Sequence, residues 1–301
     1  MPRARKVRDS EDDIQPLEYP GADEWNKPPE SLLECMILLF GTKGIGKSSA
    51  MADFPDSLTL MFEPKRRGLS IRQLLLQKHS AKEIRDGAPD VYKQVKATTQ
   101  RWIDDESIHR LNFDTVDIFY ESCAHSVCAS HNVNTPSDAG RSSSDIWNEI
   151  RDEFASYFDA LKETELGINL CSHVKTREVE TLEGGKMGFA APSCTPACLK
   201  YLQQSVDICL FYGWYNGHRA MMVRDDTNAS FVSPGIKGKF YQPNGKKLNI
   251  FQIPDLDEDE DASIYQAVTD AFNNKLWDMD TPDDQRTSTS KKPKRRRPVK
   301  K

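Results

Sequence analysis

The eight residues GTKGIGKS, Gly41 to Ser48, constrain this chain more than any other segment. They fit G-x-x-x-x-G-K-[ST], and each fixed position has a physical task. Gly41 and Gly46 let the backbone curl until its N–H groups point inward at phosphate oxygens. Lys47 is placed to reach the β- and γ-phosphates of a nucleoside triphosphate, and the Ser48 hydroxyl to ligate magnesium. The run Gly41, Thr42, Lys43, Gly44, Ile45, Gly46, Lys47, Ser48 and Ser49 therefore reads as a cradle for ATP with Mg2+. Its flanks supply the required context. LLECMILLF, Leu32 to Phe40, is apolar without alternation, as expected of a strand covered on both faces of a parallel sheet. KSSAMADF then opens a helix that Pro55 ends, offering its positive N-terminus to the same phosphates.

The remaining pattern alternates strands with helices. LTLMFE (58–63), HRLNFD (109–114) and INLCSH (168–173) read as further buried strands. Residues 69–104 read as helices broken near Gly87-Ala88-Pro89, and 116–129 as another helix. The stretch 132–145 is a polar loop. Ile146, Ile150, Phe154, Phe158 and Leu161 recur at helical spacing, so 145–165 is an amphipathic helix. A charged, glycine-containing loop is expected over 174–196, then a helix over 197–205. DICLFYGW and RAMMVRDD form a hairpin around the Tyr215–His218 turn. A last helix is expected within 262–277. This predicts an α/β fold, a mainly parallel sheet flanked by helices with a β-hairpin addition and disordered termini. The expected division is a flexible arm over 1–30, an ATPase domain over 31–253, and an acidic segment, short helix and basic disordered tail over 254–301.

Charge and cysteine content narrow the setting. The net charge is −5, yet the last eleven residues, KKPKRRRPVKK, carry eight positive charges, which leaves −13 on the rest. Such a tail suits contact with nucleic-acid phosphates; a solvated tail, or a nuclear address in a eukaryotic host, are the alternatives. No run approaches the eighteen or so apolar residues of a membrane span, and Pro2 to Asp13 lacks a signal peptide's apolar core, so a soluble, cytoplasmic chain without a membrane partner is expected. Seven cysteines without a disulfide-like spacing fit a reducing compartment. Cys123, His125, Cys128 and His131 cluster in sequence, but along a helix they do not converge on one tetrahedral site.

Ligands bind outside the carboxyl ends of strands in such sheets, so strand-end side chains carry the chemistry. Asp114, closing HRLNFD, is the candidate magnesium-associated acid, with Asp117 as its rival. Glu63, ending the strand after the cradle helix, can orient an attacking water or stand as a solvated carboxylate. Ser172 and His173 end the fourth strand and line the same crevice.

The blocks GTKGIGKSS, LTLMFEP, LNFDTVDIFYE, INLCSHVK and VDICLFYGW together resemble the RecA-like ATPase core. More closely, they look like the short phage-encoded RecA-like ATPases associated with single-strand annealing and recombination. The resemblance spans roughly Leu33 to Gly238. It implies Glu63 as the water-activating glutamate, Asp114 as the magnesium-associated acid and His173 as the sensor of the γ-phosphate, beside Lys47. It implies that the loop after His173 binds DNA, with Lys175, Arg177, Lys186 and Phe189 suited to a single strand; an ordinary charged β-hairpin is the alternative. It also implies a homo-oligomeric ring or filament with ATP between subunits, and contacts with single-strand-binding or replication proteins. Where relatives carry Lys-x-Arg, this chain has Lys237-Gly238-Lys239, and lysine lacks the planar fork of an arginine finger; Arg224 is the alternative. The resulting expectation is an ATP-hydrolysing protein acting on single-stranded DNA in phage recombination, annealing or replication. A helicase-type motor and a nucleotide-controlled interaction protein are the other readings.

Overall fold

The computed structural model describes residues 29–63, 71–180, 186–224, 231–255 and 262–286. Residues 1–28 of the expected N-terminal arm, most of the acidic run and the basic tail fall outside them. The strand expected from Leu32 starts later. Ser31 caps a 3-10 turn over Leu32–Glu34 by accepting from the Leu33 N–H, and β1 follows at Met36–Gly41. After the cradle come α1 (Lys47–Ala52) and β2 (Ser57–Met61). The segment expected to be helical from residue 69 begins instead with a short strand, β3 (Gln73–Leu75), before α2 (Ala81–Arg85) and α3 (Val91–Ile103).

Then follow β4 (Arg110–Asp114), α4 (Val116–Ser130) and, after a 3-10 turn at Pro136–Ser142, α5 (Ser143–Lys162). The loop expected over 174–196 is mostly strand: β5 runs from Gly167 through Glu180 and pairs antiparallel with β6 (Lys186–Pro192). The chain continues through α6 (Pro196–Ser205), the hairpin β7 (Ile208–Tyr215) and β8 (His218–Met222), β9 (Ile250–Gln252), α7 (Ile264–Phe272) and α8 (Asp283–Arg286).

The sheet order is β3-β2-β4-β5-β1-β7-β8-β9, with β6 pairing only β5. From β3 to β7 the strands are parallel; β8 and β9 add antiparallel at the edge. Side chains alternate between two faces, and both are covered, which is why β1 reads as unbroken apolar sequence. On one face, Met36, Leu38 and Phe40 join Leu111, Phe113 and Leu170 beneath α3, α4 and α5. There Phe113, Phe119, Phe154, Tyr157 and Phe158 form a connected ring cluster, Phe113 and Phe158 at 5.1 Å and 64°. On the other, Ile37, Leu39, Leu210 and Tyr212 meet Ala50, Met51 and Phe54 of the α1 segment and Ile264, Val268 and Phe272 of α7. The helix expected after residue 254 thus packs into the core beside α1, and Asp53 fixes it by accepting from Ser263 Oγ and the Tyr265 N–H.

That second face also carries a polar row. Thr59, Asn112 and Asn169 lie in register across β2, β4 and β5. Asn112 donates to the Met51 carbonyl at 3.0 Å and to Thr59 Oγ1 at 3.1 Å, while Asn169 donates to Asn112 Oδ1 at 2.9 Å. Buried amides satisfied this way join sheet to helix at little net penalty. The row ends at Arg110, fully buried, whose guanidinium donates to Asn169 Oδ1 (2.6 Å) and to the carbonyls of Leu32 (2.9 Å) and Leu33 (2.7 Å). Gly167 leaves room for it: a Cβ there would lie 2.5 Å from the guanidinium and 2.4 Å from the Leu33 oxygen.

All seven cysteines are free and buried. Burial pushes the thiols of Cys35 and Cys123 up to about 12, so neither forms appreciable thiolate near neutrality. The sequence cluster at 123–131 does not converge. Cys123 faces the Ile150 carbonyl, His125 meets the His79 carbonyl at 2.9 Å, and His131 pairs with Glu149 at 2.7 Å. Among the described residues no His, Cys, Asp and Glu group is arranged to hold a metal. Native protein at pH 8 is expected to leave all seven thiols unlabelled by dithiobis-nitrobenzoate over minutes, and to release seven equivalents in guanidinium. Rapid labelling of even one native thiol would contradict this packing.

Candidate nucleotide site

The turn from β1 into α1 is shaped by its glycines. Gly41 lies against β7, where a Cβ would sit 2.1 Å from the Tyr212 carbonyl oxygen, so no larger residue fits. Gly44 and Gly46 adopt φ of +84° and +108°, the left-handed region glycine enters without strain. Ile45 is buried and anchors the loop, while Thr42, Lys43 and Gly44 face solvent. The Gly46 carbonyl accepts from the Ala50 N–H, which closes the first helical turn behind the loop, and the Ser49 carbonyl accepts from the Asp53 N–H at the helix end. Lys47, buried, folds back into the loop and donates to the Gly41 (2.8 Å) and Thr42 (2.9 Å) carbonyls. This places the ammonium group inside the glycine loop, and the donor set of lysine and loop N–H groups fits a polyphosphate.

Ser48 Oγ donates to Asp114 Oδ2 at 2.6 Å. Asp114 is buried at the carboxyl end of β4, two strands from β1. A hydroxyl and a carboxylate held together here suit a hard divalent cation such as Mg2+, which takes few protein oxygens and keeps several waters. The rival Asp117 is committed elsewhere. From the first turn of α4 it accepts from Ser172 Oγ (2.9 Å), Ser193 Oγ (2.7 Å) and the Cys194 thiol (2.6 Å), tying together the base of the β5–β6 hairpin. Hydrogen bonding to Cys198, burial and the Asp117 charge all hold the Cys194 thiol protonated well above its usual range. Sequence reading missed this role; its only trace was an acid one helical turn past a strand end.

Glu63 and His173 meet. The His173 Nε2 lies 3.0 Å from Glu63 Oε1, and both side chains are half-buried. They stand beyond β2 and on β5, flanking the strand that ends in Asp114. His173 pairs with Gly41 in the β1–β5 register, so the histidine is level with the start of the phosphate loop. Its Nδ1 is buried and has no hydrogen-bond partner among the described residues.

The residues expected to touch DNA are distributed unevenly. Lys175 donates to the Ser193 (2.9 Å) and Cys194 (3.1 Å) carbonyls, and Arg177 to the Cys194 carbonyl at 3.2 Å, so both cations brace the hairpin base. Phe189 stacks on Phe231, centroids 6.2 Å apart and planes 9° from parallel. The Lys186 side chain lies outside the described residues. Of the candidate finger residues, Lys237 is exposed and Lys239 sits 4.0 Å over the Phe272 ring. Arg224 donates to the carbonyls of Phe240, Leu248 and Lys239, stapling the chain that follows β8.

No described helix is long and apolar enough to cross a membrane. No curated protein matches the sequence. A family described as an AAA domain matches residues 33–230, the stretch that holds β1 through β8, the Gly41–Ser49 loop, Glu63, Asp114, Asp117 and His173. With the phosphate loop, the parallel sheet and that match in agreement, the chain belongs to the AAA domain family of P-loop, nucleotide-binding ATPases.

Proposed function

We propose that this chain hydrolyses ATP on the Gly41–Ser49 loop and uses the event to change how its β5–β6 hairpin engages single-stranded DNA. One observation carries the reading: the Ser48–Asp114 and Glu63–His173 pairs stand together at the carboxyl ends of neighbouring strands, and His173 lies on the strand that becomes the hairpin. Lys47 exchanges two backbone carbonyls for phosphate oxygens. Magnesium held by Ser48 and Asp114 supplies neutralisation of charge on the phosphates. Glu63 orients a water in line with the terminal phosphorus and takes its proton. His173 holds the Glu63 carboxylate in place and reports its state to β5. A RecA-like arrangement extends this to a ring or filament with ATP between subunits and exposed Lys237 as the cation nearest to a finger's role. The biological setting that fits is phage recombination, annealing or replication, together with single-strand-binding or replication proteins.

A second reading, a nucleotide-controlled interaction protein, is favoured by the way Lys175 and Arg177 are spent on the hairpin's own carbonyls. Steady-state ATP turnover with and without an unstructured oligonucleotide separates the two. Severalfold stimulation is expected for a DNA-acting ATPase. Turnover indifferent to DNA, with ATP-dependent assembly by light scattering, would replace it with the second reading.

A further inference from the structure

The phosphate-handling side chains lie on one side of the loop only. Asp114, Glu63 and His173 belong to β4, the end of β2 and β5, all in the direction of β2 from β1. A triphosphate whose terminal group faces them must lead its nucleoside the other way, across β1 towards β7 and β8. The β7–β8 hairpin therefore borders the space a base would occupy.

That hairpin presents a single large exposed ring. Trp214 is 62% exposed, although it sits two residues past the fully buried Tyr212. Tyr212 pairs with Gly41 in register, and its hydroxyl lies 3.7 Å from where a Cβ on Gly46 would stand, so this strand forms one wall of the phosphate loop. Side chains alternate along a strand, so Trp214 shares the Tyr212 face, the face covered by α1, about 7 Å farther along the strand. Arg219 is its cross-strand partner, with the guanidinium 5.8 Å from the indole centroid and 3.7 Å from Asp255. Asn216 and Gly217, both at positive φ, close the tight turn, and the Tyr215 hydroxyl donates to Asp280 at 2.8 Å. The ring is thus held on a fixed hairpin, engaged by a cation, and exposed beyond the rim of the loop.

We propose that Trp214 is the platform on which the adenine base of the nucleotide stacks, with Arg219 setting the ring's position. This rests on the nucleotide reading of the Gly41–Ser49 loop. Exposed aromatics beside a phosphate site give base affinity through π-face contact, worth about tenfold in Kd when removed. The test compares ADP with pyrophosphate, which shares the phosphates and lacks the base, by calorimetry on the full chain. Trp214→Ala is expected to weaken ADP about tenfold and leave pyrophosphate within about twofold, while Trp214→Phe keeps most of the ADP affinity. Unchanged ADP affinity in Trp214→Ala overturns the proposal. So does equal weakening of both ligands, since that marks damage to the loop instead of loss of a stack. A wild type that binds neither ligand removes the nucleotide reading itself, and the platform with it. As a second readout, ADP is expected to shift the wild-type tryptophan emission and pyrophosphate is not; an ADP shift that persists in Trp214→Phe also overturns the assignment.

Discussion

Glu63→Gln is expected to lower ATP turnover by about 10²- to 10⁴-fold, the usual contribution of a positioned general base. The replacement is close to isosteric, and an amide oxygen still accepts a hydrogen bond from His173 Nε2, now 3.0 Å from the carboxylate. The fold and the nucleotide cradle therefore stay intact, and ADP affinity should remain within about twofold, below the effect of losing any direct phosphate contact. What disappears is the capacity to take a proton from water. Turnover by single-turnover and steady-state assay, beside ADP binding, separates this from simple misfolding. Near-wild-type turnover would return Glu63 to a solvated strand-end carboxylate and leave Asp114 as the chemically important acid of the site.

The second large effect is on stability. Arg110→Ala should cost about 3–5 kcal/mol, read as a lower urea midpoint. Arg110 carries no ion pair among the described residues; three oxygens and the Phe54 ring, 4.8 Å away, hold its charge. Burial pulls its pKa down to about 10, the signature of desolvation, though it stays protonated at neutral pH. Truncation leaves the Leu32 and Leu33 carbonyls and the Asn169 amide oxygen without their donor and opens a cavity under the sheet. Arg110→Met refills much of that volume and should lose less. A loss below about 1 kcal/mol for the alanine variant would mean that water or a shift of the Leu32–Glu34 turn replaces the guanidinium at small cost.

Much of this architecture was readable in the chain because burial on two faces imposes a strong pattern. The apolar run before Gly41, the buried strands around Leu58–Met61 and Ile168–His173, the strand end at Asp114, and the Ile146–Leu161 stripe all follow from it. What was missed had a weaker physical imprint. β3 is three exposed residues at a sheet edge, too short to show a period. The β5–β6 hairpin projects past the sheet, so VKTREVE carries no core-facing alternation and reads as loop. Arg110 was visible only as one of three polar residues, with Asn112 and Asp114, on the same face of an otherwise apolar strand. That period of two was legible; the polar row it feeds became visible only when β2 and β5 were placed beside it. At the site, the cradle followed from a motif, whereas Asp117 and Trp214 had no motif, and their surroundings come from α4, the hairpin base and the β7–β8 turn.

β5 itself has a mechanical consequence. It is one uninterrupted 14-residue strand, and past Gly167 it contains no glycine. The strand therefore leaves the sheet without a hinge, and its far end stands about 23 Å beyond His173. Asp117 grips both arms where they emerge, like a fulcrum under a cantilever. A small tilt of the strand at the histidine would displace its Glu180 end in proportion to that length. The described arms, out to Glu180 and back from Lys186, are paired throughout, so any such tilt would be shared by both of them.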